Sequence, residues 1–139
     1  MGLYGWLTLA WIAVIFLGGA GAFGRAGTQR MIDRLQHTPW VHRLLDRYHG
    51  ELRAAWHYVE FGALSLVLYL LIHSRWGAGP WTWWAALVTL LTGTVIAYLD
   101  EKRQELTPGR QFRWHDFWCS IRGLAWMQLF IAGFALTGA

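Results

Sequence analysis

One segment restricts the possible folds more than any other: Trp81–Leu99 spans 19 residues without a charged side chain. A helix of about 17–25 apolar residues crosses the hydrocarbon core of a bilayer. Comparable runs occur at Leu3–Phe23, Trp56–Ile72 and Phe117–Thr137. With 55% hydrophobic and only 14% charged residues among 139, the chain is too apolar for an ordinary soluble domain. We therefore predict an all-α membrane protein, a four-transmembrane-helix bundle that forms a single domain over residues 1–139.

The first apolar run is expected to be an uncleaved helix, because no Lys or Arg precedes it as in a signal peptide. The single cysteine, Cys119, has no internal partner for a disulfide and reads as a small buried side chain. The net charge of +4 comes from arginines beside the apolar runs. Anionic lipid headgroups are their natural partners, and nucleic acid is not expected to bind.

The loops between the apolar runs differ in character. His73–Pro80 contains two glycines and Pro80, which predict a tight turn. The first loop is long, and Thr38 and Pro39 suit a helix start within it. Apolar residues then recur at helical spacing, which predicts an amphipathic interfacial helix over about residues 39–55.

Polar side chains that share a helical stripe lie at the ends of the apolar runs. Arg53, His57 and Glu60 have the spacing i, i+4, i+7 at the start of the second run. In an up-and-down bundle, this stripe and the stripes of the third and fourth runs meet at one membrane face. The other members are Asp100, Glu101 and Gln104 at the end of the third run, Asp116, Ser120 and Gly123 in the fourth, and Arg110 in the turn Thr107–Arg110.

Other polar residues receive simpler interpretations. Lys102 and Arg103 are predicted to point away from the Asp100 stripe as ordinary juxtamembrane charges, and Arg113 and His115 are read in the same way. Arg122 is predicted to extend its charged end towards the membrane surface. Gln128 is expected to bond to a neighbouring helix.

The pattern of these residues resembles the VanZ-like family of small bacterial membrane proteins. That family has an Asp-Glu pair at the end of a span, a Gln three residues after the Glu, a Pro-Gly-Arg turn, and then an Asp and a Gly. Upstream it has a basic residue, a His, an acid and an aromatic. The matching residues here are Arg53, His57, Glu60, Phe61, Asp100, Glu101, Gln104, Pro108, Gly109, Arg110, Asp116 and Gly123.

The resemblance implies a role in the cell envelope of a bacterial cytoplasmic membrane. The founding member of the family is associated with reduced susceptibility to teicoplanin, an antibiotic that carries a lipid tail. A phospholipid, a lipid-linked cell-wall precursor or a lipidated drug is therefore an expected partner. The resemblance names no reaction and no cofactor.

Three interpretations of the polar residues are open. In an amphiphile site, Arg53 and Arg110 would hold phosphate or carboxylate, with Gln104, Asp116 and Ser120 as further binding residues. The candidates for acid–base catalysis, if there is turnover, are His57, Glu60, Asp100 and Glu101. In a metal site, the pair His57 and Glu60 would be completed by Asp100, Glu101 and Asp116. In a purely structural network, the same charges would pair and bind no ligand.

Two arguments about membrane orientation conflict. The first and third loops carry 10 of the 12 Lys and Arg residues, so the positive-inside rule places both in the cytoplasm. The resemblance favours the opposite orientation, because many VanZ-like proteins carry their basic excess at the termini and in the second loop. The side of the membrane on which the polar face lies is therefore open.

Overall fold

The computed structural model describes residues 2–18, 39–77, 79, 81–106 and 111–137, with the backbone alone at 18, 39–49 and 52. This part of the chain is helical and contains no strand. The helices are α1, α2, α3 and α4, which span Leu3–Gly18, Pro39–Trp76, Trp83–Glu105 and Trp114–Thr137. The predicted all-α class is confirmed.

Three segments are long and apolar enough to cross a membrane: Arg53–Trp76, Trp83–Glu105 and Trp114–Thr137. At 23 or 24 residues each, they are about 35 Å long, against a hydrocarbon core of about 30 Å. Their outward side chains include large apolar residues such as Leu91 and Phe130. The apolar helix Leu3–Leu17 is shorter, and residues 19–23 of the predicted first span lie outside the described residues.

The structure has no helix break between the predicted interfacial helix at 39–55 and the predicted second span at 56–72. Helix α2 runs without a break through 38 residues from Pro39 to Trp76. The sequence explains the continuity, because Gly50 is its only glycine before Gly62 and the following segment, Glu51–Trp56, is rich in good helix formers. One glycine inside a helix costs only about 1 kcal/mol, too little to end it.

The third and fourth helices also extend beyond their apolar runs. Helix α3 continues past Leu99 to Glu105, so Asp100 and Gln104 lie within its last two turns. Helix α4 begins at Trp114, which puts Asp116 in its first turn. Asp100, Gln104 and Asp116 are therefore helical residues, held at defined angles to the bundle.

Helix α2 is the centre of the packing, with its most extensive contact against α4 and further contacts against α3 and α1. The main core cluster draws side chains from all four helices: Ile15, Phe61, Leu64, Leu68, Ile96, Ala97, Phe117 and Leu124. A polar link crosses the same interface, where the Gln128 amide donates to the Ser65 hydroxyl at 2.8 Å. This confirms the prediction that Gln128 bonds to a neighbouring helix.

A short connection joins α2 to α3. Gly79 has φ of 83°, a left-handed conformation that favours glycine. The His73 Nε2 donates to the Gly79 carbonyl at 2.9 Å, and the Tyr69 hydroxyl accepts from the Thr82 amide at 3.2 Å. These bonds fix the two helices side by side, as the predicted turn requires.

Close approach of α4 to α2 depends on Gly123. A Cβ atom at this position would lie 2.5 Å from the Tyr58 carbonyl oxygen and 3.0 Å from its Cα. Both are backbone atoms, so α2 could relieve the clash only by moving away. Gly123 therefore sets the distance between the two helices that also carry His57 and Asp116.

We predict that Gly123→Ala lowers stability by about 1–3 kcal/mol, the usual penalty for overpacking. Gly133→Ala is the matched control, since it lies in the same helix and its Cβ would meet nothing within 4 Å. Thermal melting in detergent measures both. Equal melting temperatures for the two variants would contradict the close contact.

Candidate functional site

A group of polar side chains is buried where α2, α3 and α4 meet. We call this group the polar centre. Arg53 is its one half-buried member. Its buried members are His57, Glu60, Asp100, Glu101, Gln104, Asp116 and Ser120. These are eight of the nine residues that the sequence proposed as site residues. The ninth, Arg110, lies outside the described residues, together with its turn at Thr107–Arg110.

Asp100 is satisfied by side chains of its own helix. The Arg103 guanidinium donates to Oδ1 at 2.9 Å, and the Gln104 amide donates to Oδ2 at 2.6 Å. Arg103 also lies over the Phe16 ring, with its guanidinium carbon 5.5 Å from the ring centroid. Asp100 thus acts as an anchor for Arg103, which in turn contacts α1.

Arg53 joins the three long helices. Its Nη2 lies 2.7 Å from the Asp116 Oδ2 on α4 and donates to the Gln104 Oε1 on α3 at 3.2 Å. The Arg53 side chain is 18% exposed and the Asp116 side chain only 3%. A guanidinium suits this position because its planar fork can reach two acceptors at once.

His57 lies between residues of α3 and α4. Its Nε2 is 4.0 Å from the Glu101 Oε1, and its Nδ1 is 3.3 Å from the Ser120 hydroxyl oxygen. The other Glu101 oxygen, Oε2, accepts from the Arg113 backbone amide at 3.3 Å. The imidazole is therefore held by groups on two other helices.

Asp116 is approached by two more side chains from the start of α4. Its Oδ1 lies 3.4 Å from the His115 Nδ1, and its Oδ2 lies 3.7 Å from the Arg113 Nε. Its place in the first turn of the helix also favours a negative charge, because the helix dipole is positive there. Asp116 is consequently the most heavily contacted acid of the polar centre.

An open groove of about 360 Å³ reaches the polar centre from outside. Its lining consists of Gly50, Glu51, Ala54, Arg113, His115 and Asp116. Asp116 belongs both to the groove and to the polar centre. A ligand in the groove would lie against the exposed Glu51, Arg113 and His115 and could reach the buried Asp116.

Three residues of the polar centre could hold a metal ion. His57, Glu101 and Asp116 each offer one ligand atom, and these atoms lie within 4.8 Å of one another. This set differs from the one that the sequence proposed, which started from His57 and Glu60. Among the described residues, neither Glu60 nor Asp100 belongs to it.

The sequence interpretation of four charged residues was incomplete. Arg103 is not directed away from Asp100 but pairs with it, and i, i+3 spacing on one helix is the signal that reveals this pair. Arg113 and His115 contact Asp116 from three residues and one residue away, respectively. Lys102 does behave as predicted, because it pairs only with the exposed Glu105 among the described side chains.

Comparisons of the chain with protein-family models, with curated proteins and with solved structures gave no match. The polar centre must therefore be interpreted from its own geometry. That geometry has three parts: an ion pair between helices, a histidine clustered with two acids, and an open groove beside them.

We predict that Arg53→Met destabilises the protein by about 3–5 kcal/mol, because it leaves the buried Asp116 charge without its closest partner. Lys102→Met is the control, since its ion pair lies on the surface, and its melting temperature should match that of the wild type. Combining Arg53→Met with Asp116→Asn should lose less stability than the sum of the single losses. Additive losses would show that the two side chains do not interact.

Proposed function

We propose that the protein is a VanZ-like integral membrane protein that binds the polar headgroup of an amphiphile in the groove beside the polar centre. The amphiphile belongs to the class of phospholipids, lipid-linked cell-wall precursors and lipidated drugs. The observation that carries this proposal is the open groove of about 360 Å³ at the end of three apolar helices, which joins the exposed Arg113, His115 and Glu51 to the buried Asp116.

The groove offers an anionic headgroup two side chains with nitrogen donors. The side chains of Arg113 and His115 are 53% and 67% exposed, so both have donors available to a ligand. A guanidinium binds phosphate or carboxylate through paired hydrogen bonds. Arg53 is less available for this role than the sequence suggested, because its guanidinium already contacts Asp116 and Gln104.

The surroundings of the groove suit the apolar part of an amphiphile. Trp114 and Trp118 lie in the same first turns of α4 and are both largely exposed. Tryptophan is enriched at the boundary between headgroups and acyl chains. A headgroup bound at Arg113 would leave its acyl chains beside these rings and the apolar outer faces of the helices.

The convergence of the VanZ-like motif residues supports the family assignment. Residues from the two halves of the motif, which lie far apart in the sequence, contact each other in space: Arg53 reaches Asp116 and Gln104. On this assignment we place the protein in the bacterial cytoplasmic membrane, crossing it four times, with the segment containing α1 as the first span. The sequence gives the same four spans.

Replacing the Arg113 and His115 side chains is expected to weaken the binding of anionic lipid. In the double variant Arg113→Gln/His115→Gln, affinity for phosphatidylglycerol should fall about tenfold, since losing roughly 1.4 kcal/mol of charge-assisted bonding gives that factor. Native mass spectrometry of the protein in detergent measures the bound lipid. Diacylglycerol with the same acyl chains lacks the anionic headgroup, so it should bind weakly to the wild type and to the double variant.

Lys102→Gln is the matched control, because it removes an exposed cation near the same end of the bundle but outside the groove. Phosphatidylglycerol should bind to this variant as it does to the wild type. If Lys102→Gln and the double variant lost equal affinity for phosphatidylglycerol, only general charge attraction would be at work. Tight binding of diacylglycerol to the wild type would exclude a headgroup site.

Four spans also predict that the two ends of the chain lie on the same side of the membrane. Reporters fused before Met1 and after Ala139 should therefore give the same response in cells, and a reporter inserted at Gly77 should match both. Opposite responses at the two ends would contradict the four-span assignment.

A further inference from the structure

We infer that His57, Glu101 and Asp116 form a binding site for a divalent transition-metal ion such as Mn²⁺ or Zn²⁺. The three residues come from α2, α3 and α4, one from each of the long helices. The site lies inside the polar centre, and metal binding there does not require the proposed binding of a headgroup.

The geometry of the three side chains is suitable for one ion. Their ligand atoms lie within 4.8 Å of one another, and all three residues are buried. Atoms bound to one ion at about 2.0–2.2 Å lie roughly 3–4 Å apart, so a small inward movement completes the set. An imidazole nitrogen beside two carboxylates favours a first-row transition metal over Mg²⁺ or Ca²⁺, which prefer oxygen ligands throughout.

A second observation points to a missing ligand. The Glu101 residue is only 1% exposed, yet its Oε1 has no hydrogen-bond partner among the described residues. This oxygen is the one that faces the His57 Nε2 at 4.0 Å. A buried carboxylate oxygen without a partner is strongly unfavourable, and a cation between Glu101 and His57 would remove that penalty.

Ser120 positions the histidine for metal binding. Its hydroxyl proton is donated to the Asp116 carbonyl at 3.2 Å. With that proton so placed, the Ser120 oxygen can accept from His57 Nδ1 at 3.3 Å, and in that tautomer Nε2, on the Glu101 side, would be the metal-binding nitrogen. Metal-binding histidines are commonly held in this way by a bond from their other nitrogen.

The charges of the set also favour a cation. Arg53 lies 2.7 Å from Asp116 and balances one of the two carboxylates. Among the described residues, Glu101 has no Lys or Arg side-chain nitrogen within 4.0 Å. The alternative occupant is a proton on His57, which would pair the imidazolium with Glu101 and exclude a metal.

Titration with Mn²⁺ tests the site in the full-length protein, purified in detergent and treated with a chelator beforehand. Electron paramagnetic resonance counts free Mn²⁺, and we expect one tightly bound ion per chain. In Glu101→Gln the affinity should fall at least tenfold. This variant keeps the size of the side chain and an oxygen that can accept from the Arg113 amide.

Glu60→Gln is the matched control, because it makes the same Glu-to-Gln change at another buried acid, on α2, that lies outside the set. It should bind Mn²⁺ like the wild type, and an equal loss of affinity would overturn the proposal. The spin-echo spectrum of wild-type Mn²⁺ should contain nitrogen modulation from His57. Bound Mn²⁺ without nitrogen coupling, or no bound ion, would favour the proton instead.

The metal and headgroup proposals can fail separately. The groove variant Arg113→Gln/His115→Gln keeps all three proposed metal ligands, so it should retain Mn²⁺ binding while it loses phosphatidylglycerol. If Mn²⁺ binding is absent and lipid binding is normal, the metal site is wrong and the groove assignment stands.

Discussion

The contact between Arg53 and Asp116 is the interaction on which the polar centre depends. One guanidinium reaches an acid on α4 at 2.7 Å and an amide on α3 at 3.2 Å, and it is itself carried by α2. Without it, the buried Asp116 would lose its closest cationic partner where the three helices meet. Apolar packing alone does not set the rotation of each helix about its axis, whereas this contact is possible at only one combination of rotations.

Most of the architecture follows from hydrophobic patterning. The uncharged runs identify the long helices, and the spacing of Arg53, His57 and Glu60 correctly puts them on one buried side of α2. Helix ends were less predictable, because the continuity of α2 depends on the absence of a strong breaker near residue 55. Its turns beyond the apolar run are helical for reasons of local propensity that a search for membrane spans does not consider.

The pairing of charges could not be read from the sequence in the same way. His57 and Glu60 share a helix stripe, but His57 faces Glu101 on α3. Its Nδ1 lies 3.3 Å from the Ser120 hydroxyl oxygen on α4, and the absence of a Cβ at Gly123 lets α4 come this close to the α2 backbone at Tyr58. A glycine in an apolar run gives no indication of which helix it contacts, so the histidine and its acids could be assembled only in three dimensions.

The continuous α2 has a mechanical consequence. Its 38 residues extend for about 57 Å, and Arg53 and His57 lie in the middle of that length. An unbroken helix bends little, so a push on the Pro39 end is transmitted as a tilt through these two side chains. The helix would pivot at the contacts of Arg53 with α3 and α4. The turn near Trp76 would then move in the direction opposite to the Pro39 end.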